Sequence, residues 1–244
     1  MKKLVVVCLC ACMLFIAGCF EKSDYKYVEE KGTIVIGITE YAPMHIVMGN
    51  GEWIGFDADF AKLVAQKLNL SVEFKVINWD EKVSKLNSKD IDCIWNGYTI
   101  NDEDQVSFST PYAINSQILV MLSDDNSYDN EKGISDMVLA VEKGSSAERL
   151  VTKQNAIPKT YKTQKECLNA VISGDVSGCV VDKIIFDTLV HTDLKKVKTL
   201  NIEEFGIGFR KGSDLKEKFD SIIKEMLEDG SLLKLAKQYE IELV

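Results

Sequence analysis

The first hundred residues alternate between apolar runs typical of strands and apolar repeats typical of helices. Thr33–Ile38 is apolar, β-branched and bounded by glycine, which predicts a buried strand. Apolar residues recur at helical spacing after Asp57, so we expect a helix that this aspartate caps. Strands over 71–77 and 91–95 enclose a short helix over 80–86. This strand and helix order predicts parallel pairing with right-handed crossovers.

The same pattern restarts in the second half of the chain. The elements that it predicts there are strands over 117–122, 138–141, 179–181 and 205–209, and helices over 145–154, 164–172, 183–190, 214–228 and 231–239. No segment rich in glycine, serine and proline separates the two α/β units. We therefore expect two α/β lobes joined by short strand crossings, not two independent domains on a linker.

The N-terminus has the pattern of an export signal. Two lysines precede the apolar run 4–17, which is too short to cross a bilayer but has the length of a signal-peptide core. Small residues then lead into Cys19, as in the bacterial lipobox, where the cysteine is lipidated and the chain is cut in front of it. We predict a lipoprotein signal over 1–18, a lipid on Cys19 and a polar tether over 19–30. The alternative is an ordinary secretory signal that happens to contain a cysteine.

Charge and composition narrow the class of partner. The formal net charge is −9, and loss of the two signal lysines makes it −11. Such a chain is a poor partner for nucleic acid, and anionic lipid would repel its body. Membrane attachment would therefore depend on acyl chains at the outer face of the cell membrane. Hydrophobic residues make up 46% and charged residues 27% of the chain, as in soluble globular domains.

Cysteine and histidine are sparse beyond the signal. Cys93, Cys167 and Cys179 lack the CxxC spacing of a zinc or redox site. An exported protein permits a disulfide between Cys167 and Cys179, and buried free thiols are the favoured alternative. His45 and His191 are the only histidines, so we expect no metal site and no cofactor.

Eight motifs follow one another from residue 32 to residue 239. They are GTIVIGITEYAPM, GEWIGFDADFAKLVAQKLN, WDEKVSKLNSKDIDCIWNGYTI, FSTPY, AVEKGSS, SGCVVDK, GIGFRKG and LKLAKQY. In this order and spacing they resemble the amino-acid-type solute-binding proteins of ABC importers. The resemblance covers residues 31–244, nearly the whole chain after the predicted signal.

The resemblance implies a fold and a mode of action. The fold is the type II periplasmic-binding fold, an α/β architecture of two lobes, each a mostly parallel sheet flanked by helices, joined by two crossing strands. Lobe 1 would comprise residues 31–114 and 206–244, and lobe 2 residues 115–205. A monomer would close by a hinge motion around a small-molecule ligand, an amino acid or an amine-like solute. An ABC permease and its ATPase would receive that ligand.

By the same resemblance, lobe 1 supplies rings and hydrogen-bonding groups to the ligand. Tyr41 would stack on the ligand and Trp79 would form the opposite wall, because aromatic faces hold apolar groups or cations. Asn96, Gly97 and Thr99 match the polar stretch that hydrogen-bonds the amine and carboxylate of an amino acid. Core packing of the rings, and a solvent-facing strand end for the polar stretch, are the alternatives.

Lobe 2 would supply an anion site and a carboxylate. Ser145 and Ser146 open a helix, whose N–H groups and dipole favour an anion such as a carboxylate. Simple capping by Ser145 is the alternative, and both roles can hold at once. Asp182 matches the carboxylate that pairs with the ligand's α-amine; a helix cap without ligand contact is the other interpretation.

One position departs from the family pattern. The family carries an arginine about five residues after the position of Thr99, and the ungapped equivalent here is Asp104. Neither lysine nor arginine occurs between Lys89 and Lys132, so the expected clamp on the α-carboxylate is absent. Leaving a buried carboxylate without its charged partner costs about 3–5 kcal/mol. Either backbone donors hold the carboxylate, or the ligand lacks one.

The departure suggests a ligand chemistry. With Asp104, Asp182 and the two rings around one cleft, we hypothesise that the site prefers a cationic nitrogenous ligand to an acidic one. Two alternatives stay open. Asp104 could lie in an exposed turn outside the pocket, and Arg149 could either reach back from its helix or lie on a solvated face.

An enzyme and a sensory receptor are the two other function classes that this fold could serve. An enzyme needs a titratable group near its substrate, and His45 lies close to Tyr41 in sequence and could enter the cleft. No nucleophile-elbow, zincin or P-loop motif accompanies it, so we predict a binding protein and not a dehydratase-like enzyme. A sensory or surface-receptor lipoprotein would bind the same class of ligand without transport.

Overall fold

The computed structural model describes residues 23–244, apart from 103, 104, 190 and 191. Cys19, the signal over 1–18, Asp104 and His191 lie outside the described residues. The elements of the first half are α1 (Asp24–Lys31), β1 (Thr33–Ile38), β2 (Ile46–Val47), β3 (Trp53–Ile54), α2 (Phe56–Lys67), β4 (Ser71–Val76), a 3-10 turn (Trp79–Glu81), α3 (Lys82–Asn87), β5 (Cys93–Thr99) and β6 (Val106–Phe108).

The second half repeats the alternation of strands and helices. Its elements are β7 (Ala113–Leu122), β8 (Val138–Glu142), α4 (Ser146–Lys153), β9 (Ile157–Tyr161), α5 (Gln164–Ile172), β10 (Gly178–Asp182), α6 (Lys183–Asp187), β11 (Leu194–Arg210), α7 (Leu215–Glu228) and α8 (Ser231–Gln238). None of the described helices is long and apolar enough to cross a membrane.

Nine of the described strands form one main sheet: eight follow the order β4, β1, β5, β11, β7, β10, β8, β9, and β6 pairs with β11, while β2 and β3 pair separately. Strand β1 pairs in parallel with β4 and β5, and β8 pairs in parallel with β9 and β10, as the strand and helix order predicts. The long strands β7 and β11 run antiparallel to each other between these two parallel sets, with register shifts between Lys196 and Lys198 and between Thr199 and Asn201. The predicted lobe boundaries, 114/115 and 205/206, fall within these two strands; their position stays a prediction.

Aromatic side chains fill the core of lobe 1. Trp95 of β5 meets Phe60 of α2 and Phe219 of α7 edge to face, with ring centroids 4.9 and 6.0 Å apart. Phe209 of β11 packs on the same Phe219 ring at 5.1 Å. All four rings are buried, so α2 and α7, which are far apart in sequence, both pack against Trp95 of β5. This packing fixes the strand whose far end carries the predicted polar stretch.

The prediction that Asp57 caps a helix is wrong. Gly55, not Asp57, is the N-cap of α2, and the backbone φ of Gly55 is 121°. A side chain there would meet Pro43 O at 2.6 Å, so only glycine fits this approach. Asp57 instead lies fully buried inside the first turn. The chain also forms helix α1 where the sequence predicts a polar tether, capped by Ser23, whose Oγ accepts from Lys26 N–H, and ended by Gly32 in the left-handed region.

Other differences concern lengths and thiols. Strand β11 extends over Leu194–Arg210, whereas the pattern predicts only 205–209. The pattern misses the first half of this strand because that half is charged and largely exposed. Helix α6 ends at Asp187, short of the predicted 190. The described cysteines are free and buried, so the prediction of buried thiols is confirmed.

Candidate functional site

A cavity of about 60 Å³ lies between the two predicted lobes. The described residues predicted for the site all line it: Tyr41, Trp79, Asn96, Gly97, Thr99, Ser145, Ser146 and Asp182. Asp104 lies outside the described residues, so its place stays a prediction. The carboxyl ends of β1, β5, β8 and β10 lead into this cavity. Ligand sites of parallel α/β sheets lie at this edge of the sheet.

Asp182 is the hydrogen-bonding centre of the cavity. It is 6% exposed, and its Oδ2 accepts from Tyr41 Oη and from Gln164 Nε2, each at 2.6 Å. Its Oδ1 accepts from Asn115 Nδ2 at 2.8 Å and from Gln117 Nε2. A buried carboxylate needs such donors, because burial otherwise disfavours the charged form. The side chain therefore faces the cavity and the Tyr41 ring.

A second carboxyl lies behind Asp182. Glu203 Oε1 accepts from the same two amides, Asn115 at 2.7 Å and Gln117 at 2.8 Å. Burial, followed by the charge of Asp182, raises the pKa of Glu203 to about 7. Two amides thus hold two acidic groups together, and the sequence analysis did not single out Glu203, Asn115 or Gln117.

Glu142, at the end of β8, adds a third acidic group on the cavity wall. Burial, followed by the charge of Asp182, raises the pKa of Glu142 to about 8. A hydrogen bond from Gln164 and the charge of Lys82 act in the opposite direction. Two carboxyls near Asp182, those of Glu142 and Glu203, therefore have pKa values raised towards neutral pH.

Gly97 is held by its neighbours on both sides. Its N–H donates to Asp57 Oδ2 at 2.7 Å, and the Tyr112 hydroxyl donates to the same oxygen at 3.0 Å. Burial raises the pKa of Asp57 to about 7. Asn96 accepts from Thr39 N–H at 3.0 Å and donates to Thr39 Oγ1 at 2.7 Å. These bonds fix the backbone of the cavity wall. In this structure the Gly97 N–H donates to Asp57 and not to a group in the cavity.

The lobe boundary is also crossed at Thr99. Its hydroxyl lies 3.2 Å from Ser146 Oγ, at the first residue of α4. Ser145 caps this helix by accepting from Glu148 N–H at 3.2 Å, and the Glu148 carboxylate reaches back to Gly144 N–H at 2.7 Å. This reciprocal arrangement is a capping box in which the second bond falls one residue early. Capping by Ser145 is therefore confirmed, and an additional anion-binding role stays a prediction.

Three basic residues line the cavity among the described residues. Lys82 opens α3, is 4% exposed, and lies with its Nζ 4.8 Å from the centre of the Trp79 ring. Arg149 is half-buried and Lys165 is exposed. The sequence analysis did not single out Lys82, because a lysine at a helix start is usually solvated. Arg149 does lie at the cavity, as one of the two interpretations requires.

His45 does not line the cavity. It is fully buried, with its ring edge-on to Phe74 at 5.5 Å and to Trp53 at 6.3 Å. Burial lowers the pKa of His45 to about 3, so the ring is neutral at ordinary pH. It is a core residue, and the suggestion that it enters the cleft is wrong. The described residues contain no cluster of metal-binding side chains.

Comparison with protein families decides the classification. The model for bacterial extracellular solute-binding proteins, family 3, matches residues 34–242. The chain belongs to this family. The chain is also similar to the L-cystine-binding protein TcyJ of Escherichia coli (strain K12), with 28% identity over 227 residues, 87% of this chain and 84% of that protein. Likewise, it is 26% identical to the arginine-binding extracellular protein ArtP of Bacillus subtilis (strain 168), covering 98% of both chains.

Solved structures of the family share the fold. An ABC uptake transporter substrate-binding protein from Streptococcus pneumoniae with bound histidine aligns with a TM-score of 0.81 and 25% identity. The alignment covers 89% of this chain and 96% of that chain. The predicted two-lobed periplasmic-binding fold is therefore confirmed. These relatives are binding proteins, which agrees with the prediction that this family member is not an enzyme.

Gly97→Ala tests how tightly the cavity wall is packed. A Cβ at Gly97 would meet Tyr41 Cε1 at 2.5 Å and Phe205 Cε2 at 3.1 Å, at a φ of +54°. Gly133→Ala is the matched control, because its φ is +63° and nothing lies within 4 Å of its Cβ. We expect Gly133→Ala to lower the free energy of unfolding by about 1 kcal/mol, and Gly97→Ala to lower it by about 1–3 kcal/mol more. Urea denaturation measures both; equal losses would contradict the close contact with Tyr41.

Proposed function

We propose that this chain binds an amino acid or a related cationic nitrogenous solute between its lobes and delivers it to an ABC importer. The observation that carries the proposal is the buried Asp182 carboxylate on the wall of a cavity bordered by Tyr41 and Trp79, with the half-buried Glu142 on the same wall and Glu203 behind Asp182. An ammonium placed there would meet a fixed negative charge in a site of low polarity, where such interactions are strong. Cystine and arginine, for which two of the relatives are named, and the histidine bound in the solved structure all carry an α-ammonium group and support this class.

Entry of a ligand would require the lobes to separate. The cavity encloses about 60 Å³, whereas pockets that bury small ligands usually have about 300–1,000 Å³. Among the described residues, polar contacts that join the predicted lobes across the cleft include Tyr41 with Asp182, Thr99 with Ser146, Lys82 with Gly144 O at 2.8 Å, and Lys143 with Asp80 at 2.7 Å. Exchange of such contacts for contacts with a ligand is the basis of hinge closure in two-lobed proteins.

A calorimetric panel tests the proposed ligand class. The protein is unfolded and refolded to remove bound solutes, then titrated with L-arginine, L-lysine, L-histidine, L-cystine, L-glutamate and putrescine. We expect a basic amino acid to bind more tightly than L-glutamate. Asp182→Asn should weaken that binding by about 100-fold, because it removes a buried partner of the ammonium.

Asp187→Asn is the control for the panel, since Asp187 lies in α6, the helix that follows Asp182, with its side chain 51% exposed. Its affinity should match that of the wild-type protein. Tightest binding of L-glutamate, or unchanged binding by Asp182→Asn, would contradict the proposal. In cells, deletion of the gene should abolish uptake of the tightest-binding solute; retained uptake would favour a sensory role.

The raised pKa values predict a pH dependence of binding. Below pH 7 the Glu203 and Glu142 carboxyls hold protons, because their pKa values are about 7 and about 8. A bound cation favours the ionised carboxylates and so lowers their pKa values. The affinity for L-arginine should therefore rise between pH 6 and pH 8.5, by about tenfold for each unit by which binding lowers a carboxyl pKa. Calorimetry in buffers of different ionisation enthalpy should detect proton release.

Glu142→Gln should flatten the upper part of this pH profile, since it removes the group whose pKa is about 8. Glu217→Gln, on the exposed face of α7, should leave the profile unchanged. An affinity that falls as the pH rises would show that the acidic groups do not face the bound cation.

We further propose that Cys19 anchors the exported protein to the cell membrane through lipid. Cys19 follows an apolar run and small residues in the lipobox pattern. Cys19→Ser should move the protein from the detergent-extractable membrane fraction to the soluble exported fraction, because no acyl chain would hold it. Cys12→Ser, within the predicted signal, should remain in the membrane fraction. A wild-type protein found in the soluble fraction would refute the anchor.

A further inference from the structure

Lys82 brings a buried positive charge to the cavity. Its side chain extends from α3 of lobe 1 and is 4% exposed. The ammonium donates to the carbonyl oxygen of Gly144 in lobe 2 at 2.8 Å and lies over the rings of Trp79 and Tyr98, 4.8 and 5.5 Å from their centres. Buried ammonium groups are rare, because burial favours their neutral form unless negative charge is close. The Glu142 carboxyl is one such negative group, and the Lys82 ammonium places a positive charge on the cavity wall, where the carboxylate of a ligand would meet it.

The place that Lys82 occupies has two features that favour an anion. Gly144 comes directly before the N-cap of α4, so the ammonium lies beside the positive end of this helix dipole. Ser146, in the first turn of α4, carries an Oγ that accepts from Gln117 Nε2 at 3.0 Å. The same Gln117 nitrogen donates to Asp182. The helix start therefore lies next to Lys82 on one side and one amide away from Asp182 on the other.

This juxtaposition matches a zwitterion. The Asp182 carboxylate would attract an ammonium, and the Lys82 ammonium with the start of α4 would attract a carboxylate. A lysine ammonium has three N–H donors and can bind a backbone carbonyl and a carboxylate together. A simple amine or polyamine would match only the Asp182 part of the cavity.

We propose that Lys82 is a specificity-determining residue that binds the ligand's carboxylate, and that the ligand is therefore an amino acid and not a simple amine. This inference rests on the proposed function, the binding of a nitrogenous solute in the cleft. It assigns the carboxylate to a lysine of α3, which lies outside the segment where the family carries its arginine. Glu142, close enough for Lys82 to lower its pKa, belongs to the same charge balance.

Pairs of amino acids and their decarboxylated amines test the proposal. L-arginine is compared with agmatine, L-histidine with histamine, and L-cystine with cystamine, each by calorimetric titration of the refolded protein. For a pair that binds, the wild-type protein should favour the amino acid by about 30-fold or more. In Lys82→Met and Lys82→Gln this ratio should fall to about threefold or less, with the affinity for the amine nearly unchanged.

Two further variants separate charge recognition from lobe contact. Lys143→Met removes one positive charge and a contact between the lobes, because Lys143 pairs with Asp80 at 2.7 Å while its own side chain is 62% exposed. It should keep the wild-type ratio. Lys82→Arg retains a cation and should also keep a ratio well above that of Lys82→Met. A purely structural role of Lys82 would change both affinities together and leave the ratio intact.

The outcomes are distinguishable from failure of the proposed function. If the wild-type protein binds no amino acid and no amine of the panel, the proposed function itself is refuted. If amino acids bind but the ratio is near one, or survives in both Lys82→Met and Lys82→Gln, only the role of Lys82 is refuted. Loss of the ratio in Arg149→Met, with the ratio retained in Lys82→Met, would assign the carboxylate to Arg149 instead.

Discussion

The buried charge of Asp182 constrains the whole centre of the molecule. A carboxylate that is 6% exposed is stable only if donors surround it. Those donors come from different parts of the chain: Tyr41 follows β1, Asn115 and Gln117 lie on the crossing strand β7, and Gln164 begins α5. The Asp182 carboxylate therefore requires a parallel strand, the crossing strand and a helix to place their donor groups around it at the same time. Because Tyr41 belongs to lobe 1 and Gln164 to lobe 2, the same group also ties the two lobes across the cleft.

Local periodicity was sufficient for most of the fold. Strands with buried β-branched runs, such as Thr33–Ile38, and helices with apolar stripes, such as α7, were predicted close to their observed bounds. The misses have physical causes. Helix α1 has one buried residue, Val28, and is held by tertiary bonds such as Arg210 Nε to Asp24 at 2.9 Å. Such contacts leave no periodic trace in sequence.

The site was predicted unevenly for a similar reason. The resemblance identified the residues at strand and helix ends that line the cavity, since their motifs are local. It missed residues whose roles arise only in three dimensions. Glu203 lies in a strand rich in exposed charges and was indistinguishable from its neighbours, yet it alone shares two amides with Asp182 among the described residues. Asp57 has the sequence position of a helix cap and is in fact the buried acceptor for Gly97 N–H.

The two long crossing strands have a mechanical consequence. Strands β7 and β11 stay paired from Leu194–Leu122 at one end to Phe205–Ala113 at the other, interrupted only by the register shifts near Lys196 and Thr199. Any widening of the cleft must then be absorbed as twist and bend spread along a continuous ladder, with extra compliance at the bulges. The strand pair would therefore bend along its length and not rotate about a single point. The force that restores its shape would come from the backbone ladder, while the side chains facing the cleft would decide whether the open or the closed conformation is more stable.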